Sequence, residues 1–548
     1  MPSTLATPRT DAPAPALAAW REALGPAHVD TADPTRDRYA RSTQAAATRP
    51  LAVLRPGSTA DVQAAVRVAR DHGVALYPVS GGINWGYGDA CAPTEHQVVL
   101  DLGRMNEVHE VDVDLGYAVI GPGVTQGQLH DYLAARELPL WTDVTGAGLR
   151  GSIVGNTLER GFGHTPYGDH FGHSAGYDVV LGTGELVRTG FGHYAAARAR
   201  YVYKPGVGPA LDGLFAQSNL GVVVRMGVWL MPRPRHMRAF AFTIDDPAGV
   251  GAAVDAVREL RLAGVVDSVV HVGNDLRVAA ARRRYPREAA GGHALDPDAR
   301  RAMRRELGLG SWNGSGALYG SRAMTRAAAR EVRRVLGPHT SRLLFFDDRT
   351  ARLARGVQRV AARLGIGGSR IERLGAVDSA LGLLKGIPSD HYLRGAGWRA
   401  REAPRADTLD PLDNRWGFNW YAPIVPARGA DVAAYNDLCE ATFAEFDLEP
   451  QVTVVFVSPR AVCCVTTVSY ERADVAEAAR GQACYEALAS RAMAAGFPPY
   501  RTSAHAMDAL ARGSEGFWPV AARLKRALDP DGVLAPGRYA PAGGASPR

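Results

Sequence analysis

Between Val154 and His170 the chain reads VGNTLERGFGHTPYGDH, a run that sets glycines, a Thr-Pro turn and an Asp-His pair between two strand-like segments. Glycine leaves no Cβ between backbone and ligand, so such a loop suits main chain lying close to a large flat molecule. A second glycine turn, Ser80-Gly81-Gly82-Ile83-Asn84, follows a strand ending at Val79. Its small residues leave backbone N–H groups free to point at a diphosphate, although its spacing fits neither the GxGxxG fingerprint nor a P-loop. Two other arrangements suggest different chemistry. GHSAG over 172–176 matches the GxSxG elbow of serine hydrolases, but a Thr-Pro-Tyr-Gly turn precedes Ser174 and a hairpin follows it, where an elbow needs a strand and then a helix. His164, Asp169, His170 and His173 have a mixed spacing that fits no common ligand pattern, so no metal is expected. The cysteines (Cys91, Cys439, Cys463, Cys464 and Cys484) show no CxxC or CxxCH spacing, which argues against a zinc site, a haem attachment or a disulfide framework and for a reducing compartment.

The segments SGGINWGYG, VGNTLERGFGHTPYGDH, VVLGTGELVRTG, LDGLFAQSNLGVVVRMGVWLMP and DPDGVLAPGR occur in the order found in the vanillyl-alcohol oxidase and p-cresol methylhydroxylase family of FAD-dependent oxidoreductases. The chain resembles that family from roughly residue 45 to 540. The resemblance implies an α+β, two-domain PCMH-type FAD-binding fold, split between N- and C-terminal parts, with an α+β cap domain carrying an antiparallel sheet. It implies that Val79, Ser80, Gly81, Gly82, Ile83 and Asn84 form the pyrophosphate-holding turn, that Gly155, Asn156 and Gly221 line the cofactor, and that Arg538 lies near its outer edge. Asp169 falls where relatives keep a carboxylate beside the reactive flavin nitrogen, N5. Family members often tether the flavin covalently, yet the tether positions here hold Ile83, a cysteine-free segment from Asp143 to Gly155, and Phe418 in GFNWYAPI. FAD is therefore expected to be non-covalent, with Tyr421 the tether only if the alignment slips, and with Phe418 and Trp420 in the substrate pocket.

Tyr87, Tyr500 and Arg501 match the family's phenol-binding trio. An unperturbed phenol has a pKa of about 10, so holding it as phenolate at neutral pH takes about 4 kcal/mol. Two hydroxyls and a guanidinium suffice, since hydrogen bonds to charged groups contribute roughly 1.5–3 kcal/mol each. The implied reaction is oxidation of a para-substituted phenol, with hydride passing from the benzylic carbon to flavin N5 and a p-quinone methide as product. Water, an internal nucleophile or loss of a neighbouring proton then selects an alcohol, a ring or an alkene. Asp169 would serve as base or hydrogen-bond the reduced flavin, and O2 or a separate electron acceptor would reoxidise it. Relatives usually carry tyrosine at His164 and a His-His pair at Cys463-Cys464, which leaves the pocket shape open. Oxidation of an aliphatic hydroxy acid or alcohol, and a non-catalytic binding module, remain alternatives.

The elements that position these residues are legible in outline. With 548 residues, two domains are expected. The ranges read as a flexible tail over 1–16, an FAD-binding part over 17–235, a substrate or cap domain over 236–501, and a C-terminal part over 502–548 that closes on the FAD domain. Val62, Ala65, Val66 and Ala69 repeat at helical spacing after a Ser58 cap, between strands near 52–54 and 75–79, which makes a β-α-β opening. Thr125 with Gln128 signals a helix start, and the stretch 179–187 reads as a hairpin. The net charge of +7 rests on scattered arginines, among them Arg282 to Arg284 and Arg301 to Arg305, which read as solvated helix faces without interleaved aromatics. No nucleic acid, no membrane segment, a cytoplasmic location and a homodimer or higher homo-oligomer are expected.

Overall fold

The structure is a computed structural model that describes residues 12–349, 381–511, 514 and 516–540. Its first layer grows from the expected β-α-β unit. Ser58 accepts the Asp61 N–H and starts the helix Thr59–Asp71, whose Val62, Ala65, Val66 and Ala69 share one wholly buried face. The flanking strands enter a four-stranded sheet in the order Val29–Asp30, Val53–Leu54, Gln97–Asp101, Ala75–Val79, the last three parallel. The far end of the chain returns to this layer: Leu76 donates to the Val533 carbonyl and accepts from the Ala535 N–H, both at 2.7 Å. Order also begins earlier than the expected tail allows. Helix Ala14–Leu24 covers residues 14–16, because Pro15 presets the first helical turn and Ala16, Trp20 and Leu24 are buried on the first core; residues 1–11 lie outside the described residues.

A five-stranded antiparallel sheet follows, ordered Val108–Asp112, Tyr117–Ile120, Val222–Trp229, Ser174–Val180, Leu186–Arg188, and it contains the expected hairpin. From His236–Ile244 onward the strands build an eight-stranded antiparallel sheet, ordered Arg342–Phe346, His236–Ile244, Trp312–Gly320, His271–Asn274, Gln451–Val455, Ala461–Tyr470, Gly417–Tyr421, with Ile424–Pro426 also pairing to Ala461–Tyr470. Side chains alternate across it with the period of two that a strand imposes. Val452, Val454 and Cys464 enter a core shared with helices Val250–Leu262, Arg322–Val335, Gly429–Glu445 and Val475–Ala494. Thr453, Val455 and Val465 face the other way and roof a cavity. The α+β architecture with an antiparallel cap sheet is thus present. Among the described residues no helix is long and apolar enough to cross a membrane.

Candidate active site

A cavity of about 750 Å³ runs from the glycine turns of the first layer to the roof sheet. Val79, Ser80, Gly81, Gly82, Ile83, Asn84, Gly155, Asn156, Gly221 and Arg538 line it, as do Tyr87, Phe418, Trp420, Tyr500 and Arg501. The N–H groups of Gly81, Gly82 and Ile83 find no protein acceptor among the described residues, and a Cβ on Gly81 would meet nothing within 4 Å. Ser152 caps the short helix Ile153–Leu158 through the Gly155 N–H, and a Cβ on Gly155 would stand 3.3 Å from Ser80. Arg538 is 4% exposed and donates to Glu159 at 2.7 Å, while its other terminal nitrogen, Nη1, is buried without a partner among the described residues. Free N–H donors, an orphaned guanidinium nitrogen and backbone open to the cavity fit an anionic dinucleotide such as FAD.

Aromatic rings and one cation gather beyond that cradle. Tyr87 meets Trp420 edge-on with centroids 5.6 Å apart, and the Arg501 guanidinium lies 4.3 Å over the Tyr87 ring. Arg501 also bonds the Asn84 side chain and stands 3.4 Å from Glu159. Burial drives the Tyr87 hydroxyl well above its usual pKa and lifts Tyr500 to about 12 against the opposing pull of Arg501. Both phenols therefore keep their protons at neutral pH and are available as donors. Phe418 and Trp420 share the cavity face of strand Gly417–Tyr421, whereas Tyr421 points into the opposite core and donates to the Phe497 carbonyl at 2.8 Å. The same face carries His271, stacked on His164 at 4.1 Å. Burial holds His164 well below the usual histidine range and lowers His271 to about 4, so both rings are neutral near pH 7.

Asp169 does not line the cavity. It is exposed in a turn, its carboxylate accepting the Gly172 N–H at 2.9 Å and its carbonyl accepting from His173. The turn after Tyr167 sends Asp169 outward and His170 inward. Asp143 does line the cavity, beside Asp89 and Glu159, and accepts from the backbone N–H of Thr165 at 2.7 Å and of His164 at 3.2 Å, and from His170 Nε2 at 2.7 Å. The His170 ring reaches Asn156 through Nδ1 at 2.6 Å. Gly163 makes this possible, since a Cβ there would lie 1.4 Å from Asp143 Oδ2. The elbow reading fails in the same region: Ser174 opens a strand and donates to the Phe171 carbonyl, with Tyr177 Oη at 2.6 Å. The histidines nearby do not converge on one point either, because His164 stacks on His271, His170 faces Asp143, and His173 stacks on Tyr167.

Sequence reasoning treated Asp143 only as the start of a cysteine-free segment, although an aspartate among TDVTGAG small residues is a signal for a buried carboxylate taking backbone donors. It also set Arg282 on a solvated helix face: Arg282 is exposed, but helix Asp275–Ala280 stops before it and it borders the cavity.

A family model described as an FAD binding domain matches residues 50–190. The chain is 40% identical over 527 residues to 1'-carboxy-chondrochloren decarboxylase of Chondromyces crocatus, covering 96% of each protein. It is 30% identical to the 4-cresol dehydrogenase [hydroxylating] flavoprotein subunit of Pseudomonas putida, covering 90% of this chain and 88% of that one. Its fold superposes on 4-ethylphenol oxidase from Gulosibacter chungangensis, solved as an isoeugenol complex, with TM-score 0.86 and 28% identity over 96% of this chain and 97% of that chain.

Proposed function

Since this chain belongs to the vanillyl-alcohol oxidase and p-cresol methylhydroxylase family of FAD-dependent oxidoreductases, we propose that it oxidises a para-substituted phenol at the benzylic carbon. The observation that carries this reading is the meeting of Tyr87, Tyr500 and Arg501 in one cavity with the glycine turns. Two hydroxyls kept protonated by burial and one guanidinium form a set of donors suited to a phenolate oxygen. An aliphatic hydroxy acid would use the guanidinium but leave the two buried hydroxyls without a task. Glu159 neutralises part of the Arg501 charge, so the tyrosines carry much of the anion's stabilisation.

Bound FAD supplies the two-electron acceptor for the hydride that leaves the benzylic carbon. Asp143, in place of Asp169, is the carboxylate serving that centre, where it fixes a proton on His170 Nε2 at the junction of cofactor loop and cap. The phenolate that has lost hydride is a p-quinone methide, an electron sink for the next bond to break. The Pseudomonas putida relative is named as hydroxylating and the Chondromyces crocatus relative as a decarboxylase. The higher identity of the latter supports decarboxylation as the fate here. Where the adjacent carbon bears a carboxylate, the C–CO2 bond breaks, its electron pair becomes the new carbon–carbon double bond, the ring returns to phenolate and CO2 leaves. FAD is held without a covalent tether in this reading, supported by Phe418 and Ile83 on the cavity wall and by Tyr421 facing away from it.

The test is anaerobic bleaching of the bound flavin. 4-Propylphenol should bleach it, while 4-propylanisole, which cannot ionise, and lactate should not. Equal bleaching by phenol and methyl ether would overturn the phenolate reading. Release of CO2 with an alkenylphenol from 3-(4-hydroxyphenyl)propanoate tests the decarboxylation separately.

A further inference from the structure

Charged groups buried in the cap are matched with care. Arg300 bonds Asp275 at 2.7 Å and Glu440 at 3.2 Å, and Arg399 bonds Glu449 and Glu477, each at 2.7 Å. Arg277 is not matched in this way. It lines the cavity, and among the described residues no carboxylate lies within ion-pair distance and no side-chain hydrogen bond is made. Asp275, two residues away, is already taken by Arg300 and by Arg304 at 3.5 Å. Desolvation lowers the Arg277 pKa, with only Tyr392 opposing it. The helix start at Asp275–Ala280 does not need this side chain, because the cap bond runs from the Arg277 backbone N–H to Asn274 Oδ1 at 2.9 Å. Glycine makes room for the guanidinium: a Cβ on Gly395 would stand 2.1 Å from Arg277 Nη1. Arg277 is half-buried on the cavity wall, and a partly desolvated cation without a counter-ion gains by taking an anion.

We propose that Arg277 binds a carboxylate at the end of the substrate's para side chain. The inference deepens the phenol reading above, on which it rests, by naming the substrate class as para-hydroxyphenyl compounds with an acidic side chain. A planar guanidinium matches a carboxylate with two parallel hydrogen bonds. The position suits an extended molecule. Strand Gly417–Tyr421, with Trp420 beside the phenol clamp, lies three strands from His271–Asn274, which leads into Arg277; at about 4.8 Å per strand the span is about 14 Å. Gly395, against which the guanidinium lies, is a sequence neighbour of Leu393 and Ala396, which pack with Trp85 and Phe418. A side chain of a few bonds then joins ring and acid inside one cavity.

Dissociation constants of the FAD-loaded protein for 3-(4-hydroxyphenyl)propanoate, 4-(4-hydroxyphenyl)butanoate and their methyl esters, read from the flavin spectrum, test the assignment. The wild type should bind at least one acid tenfold or more tighter than its ester. Arg277→Gln should erase that preference and leave ester binding and reduction by 4-propylphenol unchanged, and Arg277→Lys should restore part of it. A wild type that does not prefer acid to ester overturns the proposal without needing any variant, and so does an Arg277→Gln protein that loses both ligands equally. Reduction by 4-propylphenol with no acid preference removes this inference alone. Failure of every para-hydroxyphenyl probe to bind removes the phenol reading and this inference with it.

Discussion

Replacing Asp143 and Asp169 in parallel separates a cavity carboxylate from a turn residue of the same type four residues after Thr165. Asp143→Asn retains one oxygen for the backbone N–H groups of Thr165 and His164, now 2.7 and 3.2 Å from Oδ1. The other position becomes an NH2 facing His170 Nε2 at 2.7 Å, donor against donor, unless the ring changes tautomer. One charge-assisted hydrogen bond is lost, about 1.5–3 kcal/mol. Felt at the barrier, that is a fall of roughly 10- to 150-fold at about 1.4 kcal/mol per factor of ten. Asp169→Asn keeps an oxygen for the Gly172 N–H and alters only an exposed charge, so it should leave the reaction untouched. Anaerobic stopped-flow reduction by 4-propylphenol, with thermal melts and FAD content measured on the same samples, reads both variants. A folded, FAD-replete Asp143→Asn that is reduced at the wild-type rate would refute the reasoning. Equal slowing by Asp169→Asn would do the same.

Tyr500→Phe removes one donor from the phenolate clamp and should weaken phenol binding or slow reduction by about 1.5–3 kcal/mol, with little change for the O-methyl ether; an equal loss for the ether would count against the clamp. Acid precipitation should leave the yellow flavin in the supernatant, and flavin fluorescence on the denatured polypeptide would contradict the untethered cofactor. Burial raises Asp89 from 3.8 to about 7 despite bonds from Ser42 and Thr43, so between those values the unfolded chain releases a proton that the folded chain keeps. Stability from this group should therefore fall as pH rises through that window, by on the order of 4 kcal/mol, and Asp89→Asn should flatten the slope in urea midpoints compared at pH near 5 and near 8. An unchanged slope in the variant would show that Asp89 does not set it.

Much of the first layer was legible because its signals are local. The Ser58 and Thr125 caps form the bonds their spacing implies, and the Val62 to Ala69 stripe is buried as its periodicity requires. The glycine turns were legible for the same reason, since missing side chains can be read directly. Asp143 and Asp169 were harder. Both sit near glycines, and Asp143 is held inward by donors from His164, Thr165 and His170, more than twenty residues on, which local composition does not reveal. Arg277 was out of reach: nothing in DLRVAA distinguishes a guanidinium that has no partner among the described residues from one that has one, and that difference arises when Arg300, twenty-three positions on, takes Asp275.

The pairing of Leu76 with Val533 and Ala535 also bears on how the chain is made. During synthesis the early parallel strands emerge long before the segment that completes their edge, and the whole cap is translated in between. Such a connection has a high sequence separation, the kind of contact that forms late and slowly. The edge of strand Ala75–Val79 therefore stays unpaired until residues 533–535 have been made, and the cofactor cradle, which Leu534, Ala535 and Arg538 line, is complete only then.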